Sequence, residues 1–129
     1  MRRSGVSYLI VFLGGGIGAA MRHGVNRASL SIIGPGLPVG TLIVNVIGST
    51  LMGLVVGWLT LRGGEPSGWR LFLATGILGG FTTFSAFTYE AVDLWQRGEQ
   101  MSAAEYVLAS VTFSIAGLLI GLVAARSLA

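Results

Sequence analysis

Four long apolar stretches, joined by short connectors, constrain the fold of this chain more than any other feature of its sequence. They cover roughly residues 8–20, 39–61, 69–95 and 106–125. A bilayer core is crossed by about 20 helical residues, so each stretch predicts a transmembrane helix. The first is short, and it reaches full length if the helix continues past Arg22, whose long side chain can snorkel or pair. The sequence therefore predicts an all-α membrane protein in which residues 1–129 form a single four-helix transmembrane domain.

Composition excludes several classes of protein. Of the 129 residues, 53% are hydrophobic and only 10% are charged, which is too apolar for a soluble domain of this size. Cysteine is absent, which excludes disulfides and thiol catalysis. The sequence has no phosphate-binding GxxxxGK[ST] loop and no nucleophile–base–acid set, and the lone His23 has no metal-binding companion. We therefore expect neither an enzyme nor a nucleotide-binding protein, and we expect His23 to be an interfacial residue.

The arginines predict contact with lipid and a weakly specified orientation. The net charge of +3 comes from arginines beside helix ends, where basic residues usually meet phospholipid rather than nucleic acid. With four spans, one side of the membrane receives Arg2, Arg3, Arg62, Arg70 and Arg126, and the other receives Arg22, Arg27 and Arg97. Such a small bias allows insertion in both orientations. An antiparallel homodimer is therefore possible.

The third apolar stretch contains the polar and aromatic run GGFTTFSAFT at residues 79–88. Irregular backbone at bilayer depth is tolerated only where protein or a water-filled cavity satisfies its N–H and C=O groups. We expect the glycine pair, Gly79 and Gly80, to break the third helix near the midplane. The hydroxyls that can bond the freed groups belong to Thr82, Thr83 and Ser85. A broken helix offers carbonyls to a cation such as Na⁺ at one half-end and N–H groups to an anion at the other.

Phe84 and Phe87 are three residues apart and share a helix face just after this predicted break. The edge of an aromatic ring is electropositive, so a small anion can lie against it without meeting a full positive charge. The alternative is that the two rings simply pack in the core.

Polar residues also recur at helical spacing in the second and fourth stretches. Thr41 and Asn45 share one face of the second helix, while Tyr106, Ser110 and Ser114 follow one face of the fourth. Asn45 alone is explained by an interhelical hydrogen bond, and each serine alone by a bond to the carbonyl four residues earlier. Together they predict a polar, water-accessible path along these two helices.

Small residues four apart predict close helix packing. The pairs are Gly14 with Gly18, Gly53 with Gly57, and Gly117 with Gly121.

The carboxylates limit the mechanism. All five lie in or near predicted loops or helix ends, and Glu90 alone is placed to reach inward. Proton-coupled transport normally needs a carboxylate near the midplane. The sequence favours passive transport, with a small dual-topology proton-coupled multidrug exporter as the alternative and a non-transporting helical scaffold as a third hypothesis.

The chain resembles the Fluc (CrcB) family of bacterial fluoride channels over essentially its whole length. In the first helix the match is GGIGA at residues 15–19 together with Arg22. In the second helix it consists of GT at residues 40–41, Asn45, GS at residues 48–49, and Gly53. In the third it is GGFTTFSAF at residues 79–87. The resemblance implies a dual-topology, antiparallel homodimer in the cell (inner) membrane, with two fluoride pores through which cytoplasmic fluoride leaves passively and its toxicity falls. It also implies a structural, non-transported Na⁺ at the dimer centre.

The resemblance also implies roles for individual residues. The family's Na⁺ ligands, which are backbone carbonyls, match Gly79 and Thr82, and Arg22 is structural. The residues expected to line the fluoride pore are Asn45, Phe84, Phe87, Thr41, Thr83, Ser85, Tyr106, Ser110 and Ser114. The chain departs from the family pattern at His23, Thr50 and Ala86, none of which is expected to contact an ion.

Overall fold

The computed structural model describes residues 2–63 and 68–128, without the side chains of residues 2 and 3, and the described residues form helices joined by short turns. The helices are α1 (Arg2–Ile32), α2 (Val39–Leu61), α3 (the consecutive segments Gly68–Arg70, Leu71–Leu78 and Gly79–Phe81), α4 (Phe84–Gln96) and α5 (Gln100–Ser127). Four regions are long and apolar enough to cross a membrane: Ser4–Ile32, Val39–Leu61, Gly68–Gln96 and Gln100–Ser127. The prediction of an all-helical chain with four spans is confirmed.

The first and last helices are longer than their apolar cores. Helix α1 continues through Arg22 for 31 residues and ends before Gly34, which has a φ of 98°. Gly98, with a φ of 82°, ends the turn after α4, so α5 begins at Gln100 rather than near Tyr106. Glycine adopts this left-handed conformation without steric cost and commonly terminates helices.

The third span changes its backbone geometry along its length. Leu71–Leu78 forms a π-helix of 8 residues, a conformation that is rare and often found at functional sites. Thr82 (φ −81°, ψ 158°) and Thr83 (φ −151°, ψ 123°) are extended and separate α3 from α4. The extended residues are thus the two threonines, whereas Gly79 and Gly80 are themselves helical.

Gly76 and Gly80 of α3 are explained by packing instead. A Cβ atom at Gly80 would collide with the carbonyl oxygen of Gly15, and one at Gly76 would lie 3.0 Å from the Cα of Gly14. Gly18 similarly faces the Ile77 carbonyl. Helices α1 and α3 therefore touch backbone to backbone.

Helices α2 and α5 pack in parallel through the predicted small residues. Gly53 contacts Leu118, and further along both helices Gly57 meets Ala125. Gly117 and Gly121 in turn contact Thr50. A buried cluster of Phe87, Leu94, Ala103 and Tyr106 joins α4 to α5, and it fixes the start of α4 beside α2 and α5.

Candidate functional site

A cavity of about 340 Å³ lies where the junction of α3 and α4 faces α2 and α5. Six of the sequence-predicted pore residues line it: Asn45, Thr83, Phe84, Phe87, Ser110 and Ser114. Its other lining residues are Ser49, Thr82, Val111 and Ile115. Ser49 was not predicted, although it lies one turn after Asn45 on the same face of α2.

The side-chain amide of Asn45 forms hydrogen bonds with both backbone polar groups of the extended residue Thr83. Its Nδ2 donates to the Thr83 carbonyl at 2.9 Å, and its Oδ1 accepts from the Thr83 N–H at 2.8 Å. A side-chain amide nitrogen carries two hydrogens, of which the Thr83 carbonyl takes one. Asn45 therefore fixes the backbone next to the cavity and keeps one N–H for a ligand.

The same contacts leave two carbonyls without their usual donors. In a continuous helix, the Gly79 carbonyl would accept from the Thr83 N–H and the Thr82 carbonyl from the Ala86 N–H. Here the Thr83 N–H donates to Asn45, and the Ala86 N–H donates to the Thr83 Oγ1 at 3.1 Å. The oxygens of Gly79 and Thr82, the two residues expected to bind Na⁺, are thus released from the helical hydrogen-bonding pattern.

The intervening Gly80 carbonyl is satisfied by α1. The Nε of Arg22 donates to it at 3.1 Å, and the arginine is partly buried. Arg22 therefore compensates a backbone group at the end of α3.

The N-terminus of α4 opens beside the cavity. The Thr83 hydroxyl caps this helix, and the Ser85 Oγ lies 3.4 Å from it. A helix N-terminus carries partial positive charge from its free N–H groups. Ser85 is exposed and does not line the cavity.

Three aromatic rings continue from this helix end toward α5. The centroids of Phe84 and Phe87 are 5.7 Å apart, and those of Phe87 and Tyr106 are 5.4 Å apart. Phe84 is 75% exposed in the single chain, whereas Phe87 is buried. Of the two phenylalanine rings that line the cavity, Phe87 is therefore buried in the core and Phe84 lies on the surface of the single chain.

Ser110 places in the cavity wall a hydroxyl that has no partner among the described residues. The residue is 5% exposed, and its Oγ forms no hydrogen bond within the described part of the chain. A buried polar group left unpaired costs about 1–3 kcal/mol. A ligand or water molecule in the cavity would remove that cost.

Thr41 and Tyr106 do not line the cavity; both bind Glu90. The Thr41 hydroxyl donates to Glu90 Oε1 at 2.9 Å, and the Tyr106 hydroxyl donates to Oε2 at 2.8 Å. Glu90 lies in the middle of α4 rather than at a helix end, and its two bonds confirm the prediction that it reaches inward. Its spacing of three from Phe87 was the available signal, because it sets both on one helix face.

Comparison with known proteins identifies relatives along almost the whole chain. The family model described as "CrcB-like protein, Camphor Resistance (CrcB)" matches residues 9–122. A fluoride-specific ion channel FluC of Methylobacterium nodulans is 57% identical over 109 residues, which cover 84% of this chain and 87% of the relative. FluC 2 of Nitrobacter hamburgensis is 47% identical over 123 residues, 95% of this chain and 99% of the relative.

A third relative, FluC of Granulibacter bethesdensis, is 52% identical over 95% of this chain and 97% of its own length. These matches show that the chain is a multi-pass membrane protein and belongs to the CrcB family.

Proposed function

We propose that the chain is a passive, fluoride-selective channel that lets cytoplasmic fluoride leave across the inner membrane and so reduces its toxicity. The observation that carries the proposal is the cavity at the N-terminus of α4, where the unpartnered Ser110 hydroxyl lies beside Phe84, Phe87 and the Asn45 amide. The three relatives compared above are named fluoride-specific ion channels.

The chemistry of the lining suits a small, strongly hydrated anion. Several donors must replace its hydration shell in close succession. The donors near the cavity are the hydroxyls of Ser110, Ser114, Thr83 and Ser85, the free Asn45 N–H, and the electropositive edges of Phe84 and Phe87. None carries a full positive charge, so a bound anion is also able to leave.

The exposed Phe84 supports an antiparallel dimer. A bulky ring that is 75% exposed beside a polar cavity is covered once a second copy packs against α4. Two copies in opposite orientations would form two equivalent pores and place both junctions of α3 and α4 at the two-fold axis. The weak arginine asymmetry permits both orientations in one membrane.

The carbonyls of Gly79 and Thr82 fit a structural Na⁺ at that axis. Both oxygens have lost their usual donors, and unwound carbonyls at half-helix ends are typical Na⁺ ligands in membrane proteins. With two copies, four carbonyl dipoles would converge, and a bound cation would relieve their repulsion. On this proposal the cation is part of the structure and is not carried.

The exporter alternative rests on Glu90. This carboxylate lies within a candidate membrane span and accepts hydrogen bonds from the hydroxyls of Thr41 and Tyr106. Proton coupling would require Glu90 to gain and lose a proton during transport. A passive channel has no such requirement. The two functions therefore differ in whether a proton gradient is needed.

Fluoride efflux from liposomes tests the proposal. Purified protein is reconstituted in fluoride-loaded vesicles at equal internal and external pH, with valinomycin and K⁺ to dissipate charge, and a fluoride electrode records release. We expect rapid release of fluoride and none of chloride from matched chloride-loaded vesicles. Transport that appears only after a pH gradient is imposed would favour the exporter, and no transport under either condition would favour a scaffold.

A further inference from the structure

An apolar groove lies at the end of the molecule where α2 and α5 both terminate. Its volume is about 260 Å³, and its lining consists of Leu54, Val55, Trp58, Ala125 and Leu128. The two helices run in parallel to this end, with Gly57 packed against Ala125. The groove shares no lining residue with the cavity beside Asn45.

Two arginines adjoin residues that line this groove: Arg62 contacts Trp58, and Arg126 is next to Ala125 in sequence. Arg62 follows the last residue of α2, and its guanidinium lies 4.7 Å from the centroid of the Trp58 ring. Arg126 follows Ala125 in the last turn of α5, and both arginines are exposed. Among the described residues, no carboxylate forms an ion pair with either of them.

The electrostatics of this end favour an anion. The carbonyl ends of α2 and α5 each carry partial negative charge, equivalent to about half an elementary charge. The two full positive charges on Arg62 and Arg126 exceed the total partial negative charge of these two helix ends, so the net charge of this end is positive. Trp58 adds the amphipathic ring that typically marks the headgroup level of a bilayer.

We propose that this groove binds one anionic phospholipid, with an acyl chain in the apolar groove and the phosphate between Arg62 and Arg126. No described residue fills the apolar groove, and the positive charges beside it complement an acidic headgroup. A free phosphate would use only the arginines and leave the groove empty. A phospholipid matches both halves of the site, its acyl chain the apolar groove and its phosphate the arginines.

Quenching of Trp58 fluorescence by brominated lipids tests this proposal. The background variant W69F/W95F leaves Trp58 as the only tryptophan. It is reconstituted into vesicles containing either brominated phosphatidylglycerol or brominated phosphatidylcholine. We expect phosphatidylglycerol to occupy the site with roughly 25-fold preference, about fivefold for each of the two arginines.

Charge-removing variants then assign the preference to the two arginines. R126Q keeps the contact between Arg62 and Trp58, and we expect it to lower the preference roughly fivefold. We expect R62Q/R126Q to abolish the preference for phosphatidylglycerol. Quenching of Trp58 by brominated phosphatidylcholine should remain, which would show that the groove is still present.

Trp95 supplies a matched control. It lies two residues before Arg97, whose charge is paired with Asp93 at 3.1 Å. In the background W58F/W69F, we expect both lipids to quench Trp95 equally. Equal quenching of Trp58 by both lipids would overturn the proposal, as would loss of the preference when inorganic phosphate is added. Absence of quenching by either lipid would show that protein covers the groove and would also overturn it.

The measurement is independent of ion transport. It records lipid occupancy at equilibrium and contains no fluoride, so its result stands whether or not the chain conducts fluoride.

Discussion

At the scale of single residues, Asn45 satisfies both the N–H and the C=O of Thr83 with one amide. Unpaired backbone groups at bilayer depth are costly because lipid offers no hydrogen bonds. This contact explains how Thr83 can be extended without leaving its own backbone groups unpaired. It also gives Asn45 a positioning role in addition to the ligand role that its place in the cavity wall suggests.

Replacing Asn45 with alanine should therefore affect both backbone and transport. We expect Asn45→Ala to abolish most fluoride flux and to destabilise the protein by about 1–3 kcal/mol for each Thr83 group left unpaired. Liposome flux and thermal unfolding in detergent measure the two effects. Ser49→Ala, which changes the same cavity wall but removes no hydrogen bond to Thr83, should unfold at the wild-type temperature, and unchanged stability of Asn45→Ala would contradict the positioning role.

Phe84 and Phe87 should separate function from stability. Phe87 is 8% exposed and belongs to the buried cluster, so Phe87→Ala should cost about 3–5 kcal/mol of stability. Phe84 is on the surface of the single chain, and Phe84→Ala should leave its fold intact. Both substitutions should strongly reduce fluoride flux. Wild-type flux in both variants would refute their place in the pathway, and Phe87→Leu, which fills most of the space, should recover stability but not flux.

Ser110 offers a case in which a loss of function accompanies a gain in stability. Its Oγ has no partner among the described residues, so Ser110→Ala should stabilise the ligand-free protein by up to about 1 kcal/mol, and by less where a cavity water already bonds the hydroxyl. Flux should fall only modestly, because Ser114 and water can donate in its place. Thermal unfolding without fluoride, beside the flux assay, measures both; a destabilised Ser110→Ala would mean that the hydroxyl has a structural bond.

At the scale of helices, the apolar pattern predicted the number and type of elements well and their ends less well. The bounds of α2 agree with its apolar stretch, but α1 and α5 extend several residues further. Hydropathy marks the apolar part of a helix, whereas its backbone hydrogen bonds continue until a glycine such as Gly34 or Gly98 turns the chain. The extended residues were misplaced at Gly79 and Gly80 because the partner that stabilises Thr83 is on another helix.

Neighbouring glycines of α3 test this account of the packing. An added Cβ at Gly80 collides with the Gly15 carbonyl, whereas one at Gly79 meets only the Ala74 carbonyl at an ordinary 3.6 Å. We expect Gly80→Ala to lower the unfolding temperature sharply or to prevent folding, and Gly79→Ala to leave the helix contact unchanged. Equal stability of the two variants, measured by thermal unfolding, would refute the backbone contact between α1 and α3.

At the scale of the whole molecule, the sequence predicted which residues approach one another better than it predicted their bonds. Same-face spacing predicted that Ser110 and Ser114 project from one side of α5, and the packing of α5 against α2 brings them to Asn45 around one cavity. It did not predict that Thr41 and Tyr106 bind Glu90, since this contact joins three helices whose relative rotation depends on packing. The assembly of two copies depends on surfaces, such as that of Phe84, which periodicity does not describe.

Removal of Na⁺ tests the proposed assembly directly. If the Gly79 and Thr82 carbonyls of two copies converge, their dipoles repel when no cation is present, so replacing all Na⁺ with N-methylglucamine should weaken the dimer and reduce fluoride flux together. Size-exclusion chromatography and liposome flux in Na⁺-free buffer measure the two effects. Because the ligands are backbone oxygens, Thr82→Ser should retain the wild-type Na⁺ dependence, which serves as the control. Equal dimer stability and equal flux in thoroughly Na⁺-free buffer would refute the cation site while leaving the proposed anion pathway intact, since that pathway is built from different groups.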